Sequence, residues 1–217
     1  MIDIAKYDFF IFDCDGVILN SNNLKTRAFA EALPNEPSDI VTDFVEYHKK
    51  YGGISRYEKF RYYYETMKNQ VDSEQEIENA LNNFTNIVSD GLIKCNYIPG
   101  VIEFIKKLYV KEKKLFIVSG SDEEELKGVF SKRMIFHYFE QIYGSPIDKI
   151  ENTRKVIELI SNGQSGVFLG DSKTDYDAAK KYKLDFIFVS AVSEWQNAQQ
   201  LITDDRIIKD FKEINEY

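Results

Sequence analysis

The sequence is poor in the residues that mark secreted and membrane proteins. Only two of its 217 residues are cysteines, Cys14 and Cys95, and they form neither a disulfide framework nor a C-x-x-C pair, which predicts a reducing environment. The N-terminus lacks a charged region followed by an apolar run, and no later run approaches the roughly 18 apolar residues of a membrane helix. We therefore expect a cytoplasmic protein with no membrane partner.

Positive charge is also scarce, because 28 Lys and Arg residues oppose 36 Asp and Glu residues and leave a formal net charge of −8. Binding to a phosphate backbone needs clustered Lys and Arg, so we expect no nucleic acid partner and a small molecule instead. Core-forming residues are plentiful, since 43% of the chain is hydrophobic and 14% aromatic. This composition predicts one large folded domain or two small ones, and it does not indicate an oligomeric state.

Short apolar runs without alternation predict buried parallel strands with helices on both faces. These runs lie at 9–12, 115–118, 167–169 and 186–189, with a weaker one at 141–144. Amphipathic helical patterns alternate with the later runs, at 101–111, 123–130, 153–160 and 175–182. The alternation predicts an α/β fold with a doubly wound, mostly parallel, Rossmann-like sheet.

The segment between the first run and Pro99 has helical patterns and no convincing strand. Helices are predicted there at 22–33, 38–51, 55–68 and 73–92. We predict that residues 20–97, called the cap segment below, form a helical domain inserted after strand 1. Residues 1–19 and 98–217 would then form the α/β core domain.

Two carboxylates, Asp13 and Asp15, follow the first predicted strand in the segment Phe12-Asp13-Cys14-Asp15-Gly16. A spacing of two lets both point the same way, into the crevice beyond the strand ends where α/β folds bind ligands. Carboxylates held close together repel each other, which raises one pKa or recruits a cation. The alternative interpretation is a simple turn around Gly16.

Three further segments follow predicted strands. Ser119 and Gly120 precede Ser121, which with Glu124 predicts a capping box; the Ser119 hydroxyl and free amides there can hold an anionic oxygen. Helix capping alone would explain Ser121 but would leave Ser119 and Gly120 unexplained. Lys149 follows the weaker strand, where its charge could balance the acids and bind phosphate, although a lone lysine is usually a solvated surface residue.

Asp171 and Asp175 follow the strand at 167–169 and lie four residues apart, a spacing that directs both carboxylates to one point on a helix's first turn. Capping alone could account for Asp175 but accounts less well for Asp171. Hard oxygen ligands of this kind suit Mg²⁺, which typically takes one or two carboxylates together with a substrate phosphate.

In this order, the segments Phe12–Ile18, Val118–Ser121, Lys149 and Leu169–Asp175 resemble the motifs of the haloacid dehalogenase superfamily. The set is most similar to the branch of phosphoglycolate phosphatases and β-phosphoglucomutase-like proteins, and the cap segment resembles that branch's helical C1-type cap. The resemblance implies a hydrolase of phosphate monoesters, acting on a small phosphorylated metabolite through an aspartyl-phosphate intermediate.

The resemblance also implies roles for individual residues. Asp13 would be the nucleophile and Asp15 the general acid/base, while Ser119, Gly120 and Lys149 would bind the transferring phosphoryl group. The acid step requires a proton on Asp15, and we expect neighbouring carboxylates to raise its pKa.

The implied cofactor is Mg²⁺, held by the Asp13 carboxylate, the Asp15 backbone carbonyl and Asp171, with Asp175 supporting the ion or its waters. In the cap segment, Gly53-Ile54-Ser55-Arg56 is similar to the segment with which mutase-like members bind a second anionic group. Arg56 is therefore a predicted substrate-binding residue. A capping box between Ser55 and Glu58 is the alternative interpretation of this segment.

Other reactions stay open to different degrees. Asp15 disfavours dehalogenase and phosphonatase chemistry, because the resembling members with those activities lack this residue. A β-phosphoglucomutase-like phosphosugar mutase is the main alternative, although its fourth motif usually begins Glu-Asp and lacks the later acid. A non-enzymatic, receiver-like phospho-acceptor or binding protein is a further alternative; receiver domains are shorter and have no cap.

Overall fold

A computed structural model describes residues 2–215 of the chain. Its six strands form one sheet in which every neighbouring pair is parallel, in the order β3-β2-β1-β4-β5-β6. The strands are β1 (Phe9–Phe12), β2 (Lys114–Asp122), β3 (Gln141–Ser145), β4 (Gly166–Gly170), β5 (Asp185–Val189) and β6 (Ile207–Ile208). All five predicted strands are present, which confirms the predicted parallel α/β sheet.

The helices are α1 (Asn22–Glu31), α2 (Ser38–Lys50), α3 (Arg56–Arg61), α4 (Glu74–Lys94), α5 (Val101–Val110), α6 (Glu123–Lys132), α7 (Lys149–Leu159), α8 (Lys173–Lys181) and α9 (Lys212–Asn215). A π-helical turn, Tyr62–Met67, continues α3, and short 3₁₀ turns lie at Phe136–Tyr138, Ala198–Gln200 and Asp204–Arg206. No helix within residues 2–215 is long and apolar enough to cross a bilayer.

The central strand β1 explains why the sheet is covered on both faces. Its four residues are all buried and alternate between two hydrophobic clusters: Phe10 and Phe12 join the cluster that includes α5, whereas Phe9 and Ile11 join the one that includes α7 and α8. Fully burying each such side chain contributes about 1.5–3 kcal/mol. A continuous apolar run is therefore what this position requires.

Helices α1 to α4 lie in the cap segment between β1 and α5, where only helices were predicted. They pack around aromatic side chains: the ring centroid of Phe29 lies 4.5 Å from that of Phe84 and 5.4 Å from that of Phe60. Phe44 closes the cluster 5.7 Å from Phe60. The division of the chain into a core domain and a cap domain stays a prediction.

The first turns of α7 and α8 were placed too late by the apolar pattern. The Asp148 side chain accepts a hydrogen bond from the Glu151 amide, so α7 begins at Lys149. Ser172 and Asp175 form a capping box, so α8 begins at Lys173, two residues before the predicted start. Capping groups, which satisfy the free amides of a first turn, therefore set these starts rather than hydrophobic periodicity.

Candidate active site

Asp13 lies at the carboxyl end of β1, in the middle of the sheet. Its backbone amide donates to the Leu169 carbonyl at 2.9 Å, which extends the pairing of β1 with β4 by one residue. The side chain is only 3% exposed; Oδ1 accepts a hydrogen bond from the Cys14 amide at 2.7 Å, and Oδ2 lies 3.0 Å from Lys149 Nζ. The carboxylate is thus fixed in one orientation at the edge where neighbouring strands also end.

Lys149 connects Asp13 to Asp175 from the first turn of α7. Its Nζ lies 2.5 Å from Asp175 Oδ1, and the lysine is 5% exposed. Burial alone would lower the pKa of Lys149, but the charges of Asp13 and Asp175 outweigh it and raise this pKa above its ordinary value. Lys149 is therefore a permanently charged ammonium at the end of the sheet.

Asp13, Asp171 and Asp175 form a buried acidic cluster in which one carboxylate oxygen from each residue lies within 4.8 Å of the other two. Burial, followed by the charges of neighbouring acids, raises the pKa of Asp13 to about 7 even beside Lys149. The same causes, in the same order, raise the pKa of Asp171 well above its ordinary value. The carboxylates outnumber the single ammonium among them, so full ionisation leaves an excess of negative charge.

The donor set of this cluster suits a divalent cation. Carboxylate oxygens are hard ligands of the type that Mg²⁺ takes. Asp171 Oδ2 accepts a hydrogen bond from Asn22 Nδ2 at 2.7 Å, whereas both oxygens of Asp175 are engaged, Oδ1 by Lys149 and Oδ2 by the Ser172 amide and hydroxyl. Asp171 is thus better placed to face an ion than Asp175, whose contacts hold Lys149 and the start of α8.

The pKa of Asp15 is lowered, whereas the sequence predicted a raised value. Its Oδ1 accepts from Ser21 Oγ at 2.5 Å, and its Oδ2 accepts from Lys25 Nζ and Ser121 Oγ, both at 2.6 Å. Burial pushes the pKa of Asp15 up, but the charge of Lys25 and these hydrogen bonds together hold it below the ordinary value. The expectation was wrong because the nearest charge is a lysine of α1 and not another acid.

Ser121 is a site residue and not the helix cap that its spacing to Glu124 predicted. Strand β2 continues to Asp122, whose side chain caps α6 by accepting from the Glu125 amide at 2.8 Å. Ser121 Oγ contacts both Asp15 and Lys25 Nζ instead. The segment from Ser119 to Asp122 is therefore part of strand β2, which ends at the residue before α6.

Ser119 and Gly120 lie at the end of β2, directly beneath the loop between α2 and α3. Ser119 is 1% exposed, and its Oγ accepts from the Ser121 amide at 3.2 Å, which leaves the hydroxyl proton free to donate. A Cβ on Gly120 would overlap the Gly53 carbonyl oxygen. Gly53 itself has a φ of +81°, so only glycine fits this close approach without strain.

A cavity opens beside Asp13 and is walled on one side by the ends of the strands and on the other by the cap segment. Its lining residues include Asp13, Asp15, Lys25, His48, Arg56, Lys59, Ser119, Gly120, Asp171 and Glu194. The predicted residues in this lining are Asp13, Asp15, Arg56, Ser119, Gly120 and Asp171, which the structure therefore brings to one cavity. Lys149 and Asp175 lie immediately behind the cavity, where the Lys149 ammonium contacts both Asp13 and Asp175.

Arg56 reaches the cavity but is held by other residues. Its guanidinium forms an ion pair with Glu125 and donates to Thr85 Oγ1 at 3.0 Å. The capping alternative for Ser55 is confirmed, because Ser55 Oγ accepts from the Glu58 amide at 3.2 Å and donates to the Glu58 carboxylate at 3.0 Å. The role of Arg56 in binding an anion stays a prediction.

Sequence reasoning missed Lys25 and Lys59 and gave His48 no role. Lys25 follows Ser21 by four residues, and a helix places such residues on one face, so its position near Asp15 carried a weak signal. Nothing local marked Lys59, since its burial depends on helices that are distant in sequence.

A profile for haloacid dehalogenase-like hydrolases matches residues 10–189. The chain therefore belongs to this family of hydrolases. A search of curated proteins finds no match.

Solved structures show the same fold. A predicted phosphoglycolate phosphatase from Haemophilus somnus is 18% identical, with a TM-score of 0.75 over 99% of both chains. A β-phosphoglucomutase from Clostridium difficile is 21% identical, with a TM-score of 0.74 over 97% of this chain and 96% of that one. YfnB from Bacillus subtilis, with bound magnesium, is 16% identical, with a TM-score of 0.68 over 97% and 98%.

Proposed function

We propose that the protein is a Mg²⁺-dependent phosphatase that hydrolyses a small phosphorylated metabolite, a phosphate monoester, through a phosphoryl-enzyme on Asp13. The observation that carries this proposal is the placement of the Asp13 carboxylate, 3% exposed, between the Lys149 ammonium and the acidic residues Asp171 and Asp175. The proposal includes a core domain and cap domain divided as the sequence predicts, and a cytoplasmic location.

Asp13 is suited to nucleophilic attack because a carboxylate needs no general base once it is ionised. Its difficulty is repulsion by the anionic substrate. Mg²⁺, held by Asp13, the Asp15 backbone carbonyl and Asp171, would supply the positive charge that offsets this repulsion and the excess charge of the cluster. Lys149, whose Nζ lies 3.0 Å from Asp13 Oδ2, contributes further positive charge.

The phosphoryl oxygens would be bound by groups already arranged at the ends of β2 and α7. Lys149 Nζ can donate to them while it keeps Asp175, and the Ser119 hydroxyl proton is free to donate because its oxygen accepts from Ser121. The Gly120 amide adds a backbone donor at the same strand end. Such fixed donors stabilise charge that develops during phosphoryl transfer.

Two half-reactions then complete the cycle. An oxygen of Asp13 bonds to phosphorus as the ester P–O bond breaks, and the leaving alkoxide takes a proton from Asp15. Water next attacks phosphorus, the bond to Asp13 breaks, and Asp15 takes the proton of the water. Because its pKa is below the ordinary value, Asp15 is ionised and can accept the proton of the water in the second step. For the first step, the approaching anionic phosphoryl group would raise the pKa of Asp15, so that Asp15 acquires the proton that it donates.

Release of p-nitrophenol from p-nitrophenyl phosphate tests the proposal. We expect turnover with Mg²⁺, its loss with a chelator, and a decrease of at least about a thousandfold in Asp13→Asn. Asp90→Asn, the same change at an exposed position of α4, is the control and should keep full activity. If no phosphate ester is hydrolysed, or if Asp13→Asn stays active, the proposal is wrong.

The mutase alternative differs in what accepts the phosphoryl group. A hydrolase releases inorganic phosphate from a phosphosugar in step with substrate loss, whereas a mutase converts the phosphosugar into its isomer without net release. Phosphorus NMR of the same reaction mixture separates the two outcomes.

A further inference from the structure

Three buried cations line the cavity beside Asp13: Lys25, Arg56 and Lys59. Lys25 is paired with Asp15, and Arg56 is paired with Glu125. Within residues 2–215, no carboxylate oxygen lies within ion-pair distance of Lys59 Nζ. Lys59 is therefore the one cation in this set that forms no ion pair with an acid of the described chain; the charges of Glu194 and Asp15 act on it only from beyond ion-pair distance.

The ammonium of Lys59 is held in place by the imidazole ring of His48. Its Nζ lies 2.8 Å from His48 Nδ1, and its side chain covers the ring of Phe29, with 5.2 Å between Nζ and the ring centroid. Burial and nearby lysines hold the pKa of His48 well below its ordinary value, so the ring is neutral and Nδ1 accepts from Lys59. Lys59 Nζ also donates to the backbone carbonyl of His48 at 3.5 Å, so one of the three N–H donors of the ammonium is left for a ligand.

The same contacts orient His48 against the rest of the molecule. With Nδ1 accepting, Nε2 carries the proton and donates to Thr26 Oγ1 at 3.0 Å; Thr26 in turn donates to Glu194 Oε1 at 2.9 Å. This chain of hydrogen bonds links Lys59 in α3 to the loop after β5. The position of the Lys59 ammonium is therefore fixed before any ligand arrives.

A lysine in this position is unfavourable for folding alone. The side chain is 1% exposed, and burying a charge without an ion-pair partner costs more than burying an apolar side chain of the same size. Burial lowers the pKa of Lys59 to about 7, and the charges of Lys25 and Lys149 act in the same direction against those of Glu194 and Asp15. An anion in the cavity would reverse this penalty.

We propose that Lys59 is the substrate-specificity residue of the cap segment and binds a second anionic group, a carboxylate or a phosphate, on the ester whose phosphoryl group lies at Asp13. This inference rests on the proposed function. It assigns the recognition to Lys59 before Arg56, because an arriving anion must displace the Glu125 ion pair to reach Arg56, whereas Lys59 has no ion pair to displace within residues 2–215.

Matched pairs of esters test this assignment, each pair differing by one anionic group. The pairs are phosphoglycolate with 2-hydroxyethyl phosphate, 3-phosphoglycerate with glycerol 3-phosphate, and fructose 1,6-bisphosphate with fructose 6-phosphate. We expect the wild-type protein to prefer the anionic member of at least one pair by about tenfold or more in kcat/KM. Lys59→Met should abolish that preference mainly through KM, and Lys59→Arg should retain part of it.

Two comparison variants make the result specific. Lys94→Met makes the same change at an exposed position of α4 and should keep the preference. Arg56→Met compares the other cation of the cap segment: it will lower the melting temperature through loss of the Glu125 ion pair, and a preference that is lost in Arg56→Met but kept in Lys59→Met would overturn the assignment to Lys59. The inference is overturned if the wild-type protein prefers no anionic member, or if Lys59→Met keeps the preference in every pair.

Failure of the proposed function gives a different result. If no ester is hydrolysed, calorimetric titration of the same esters into the wild-type protein and Lys59→Met, with Mg²⁺ present, measures the recognition alone. Tighter binding of the anionic esters that disappears in Lys59→Met would support the subsite without phosphatase activity. Equal affinities for both members of every pair would overturn it.

Discussion

Replacing Lys59 by methionine should stabilise the protein at neutral and acidic pH. Methionine has a similar length and no charge, so the substitution removes the buried ammonium and keeps most of the packing against Phe29. A fall in pKa from 10.5 to about 7 corresponds to about 4–5 kcal/mol of unfavourable free energy for the charged lysine in the folded protein. The lost hydrogen bond leaves His48 Nδ1 unpaired, which costs about 1–3 kcal/mol.

The net gain should therefore be about 1–4 kcal/mol near pH 6, and it should depend on pH. Between about pH 7 and 10.5 the unfolded chain binds a proton on Lys59 that the folded protein does not, so wild-type stability rises with pH in this window. The advantage of Lys59→Met should shrink by about 3 kcal/mol between about pH 6 and 9.5. Comparing the two proteins removes the titration of the groups that they share.

Urea unfolding of wild type, Lys59→Met and Lys94→Met at several pH values measures this difference. Lys94 is exposed in the same segment, so its variant should match the wild-type protein at every pH. A Lys59→Met protein that is less stable than wild type near pH 6, or whose advantage is the same at all pH values, would refute the reasoning. Lysine at this position would then be structural.

Two further predictions concern the strand ends and the acidic cluster. Gly120→Ala should lower phosphatase activity by about tenfold or more, because the added Cβ displaces the Gly53 loop; Gly128→Ala, where a Cβ meets no atom within 4 Å, should keep activity and stabilise α6 by about 0.5–1 kcal/mol. Mg²⁺ should raise the melting temperature more at pH 8 than at pH 6, because the ion binds ionised carboxylates. The raised pKa values of Asp13 and Asp171 stabilise the metal-free protein at low pH, and the contribution of Asp13 is lost as the pH rises through about 7. A shift that is independent of pH, measured by scanning fluorimetry, would contradict the second prediction.

The strands and the central site could be predicted because both depend on local sequence. A run such as Phe9-Phe10-Ile11-Phe12 suits only a strand that is buried on both faces, and parallel strands bring the residues after them to one edge. Asp13 and Asp171 follow neighbouring strands directly, so their meeting follows from the sheet alone. Lys149 needed only the correct start of α7 to reach them.

The electrostatics of the site could not be predicted, because its charges come from elements that are distant in sequence. Asp15 was expected to be pushed towards its protonated form, yet Lys25 on α1 holds it ionised. Lys59 looks like one of many surface lysines in a charged helix, and only packing of α2 and α3 buries it beside His48. Residue spacing describes one element at a time and cannot show which elements share a cavity.

Transfer of the phosphoryl group to Asp13 is the central claim, and trapping that intermediate tests it most directly. The protein is mixed with Mg²⁺ and p-nitrophenyl phosphate, quenched in acid during turnover, and treated with borohydride, which reduces an acyl phosphate to an alcohol. Mass spectrometry of the digested protein should find homoserine at position 13, and only when both substrate and Mg²⁺ were present. Homoserine at another aspartate, or continued turnover with none at position 13, would contradict the account.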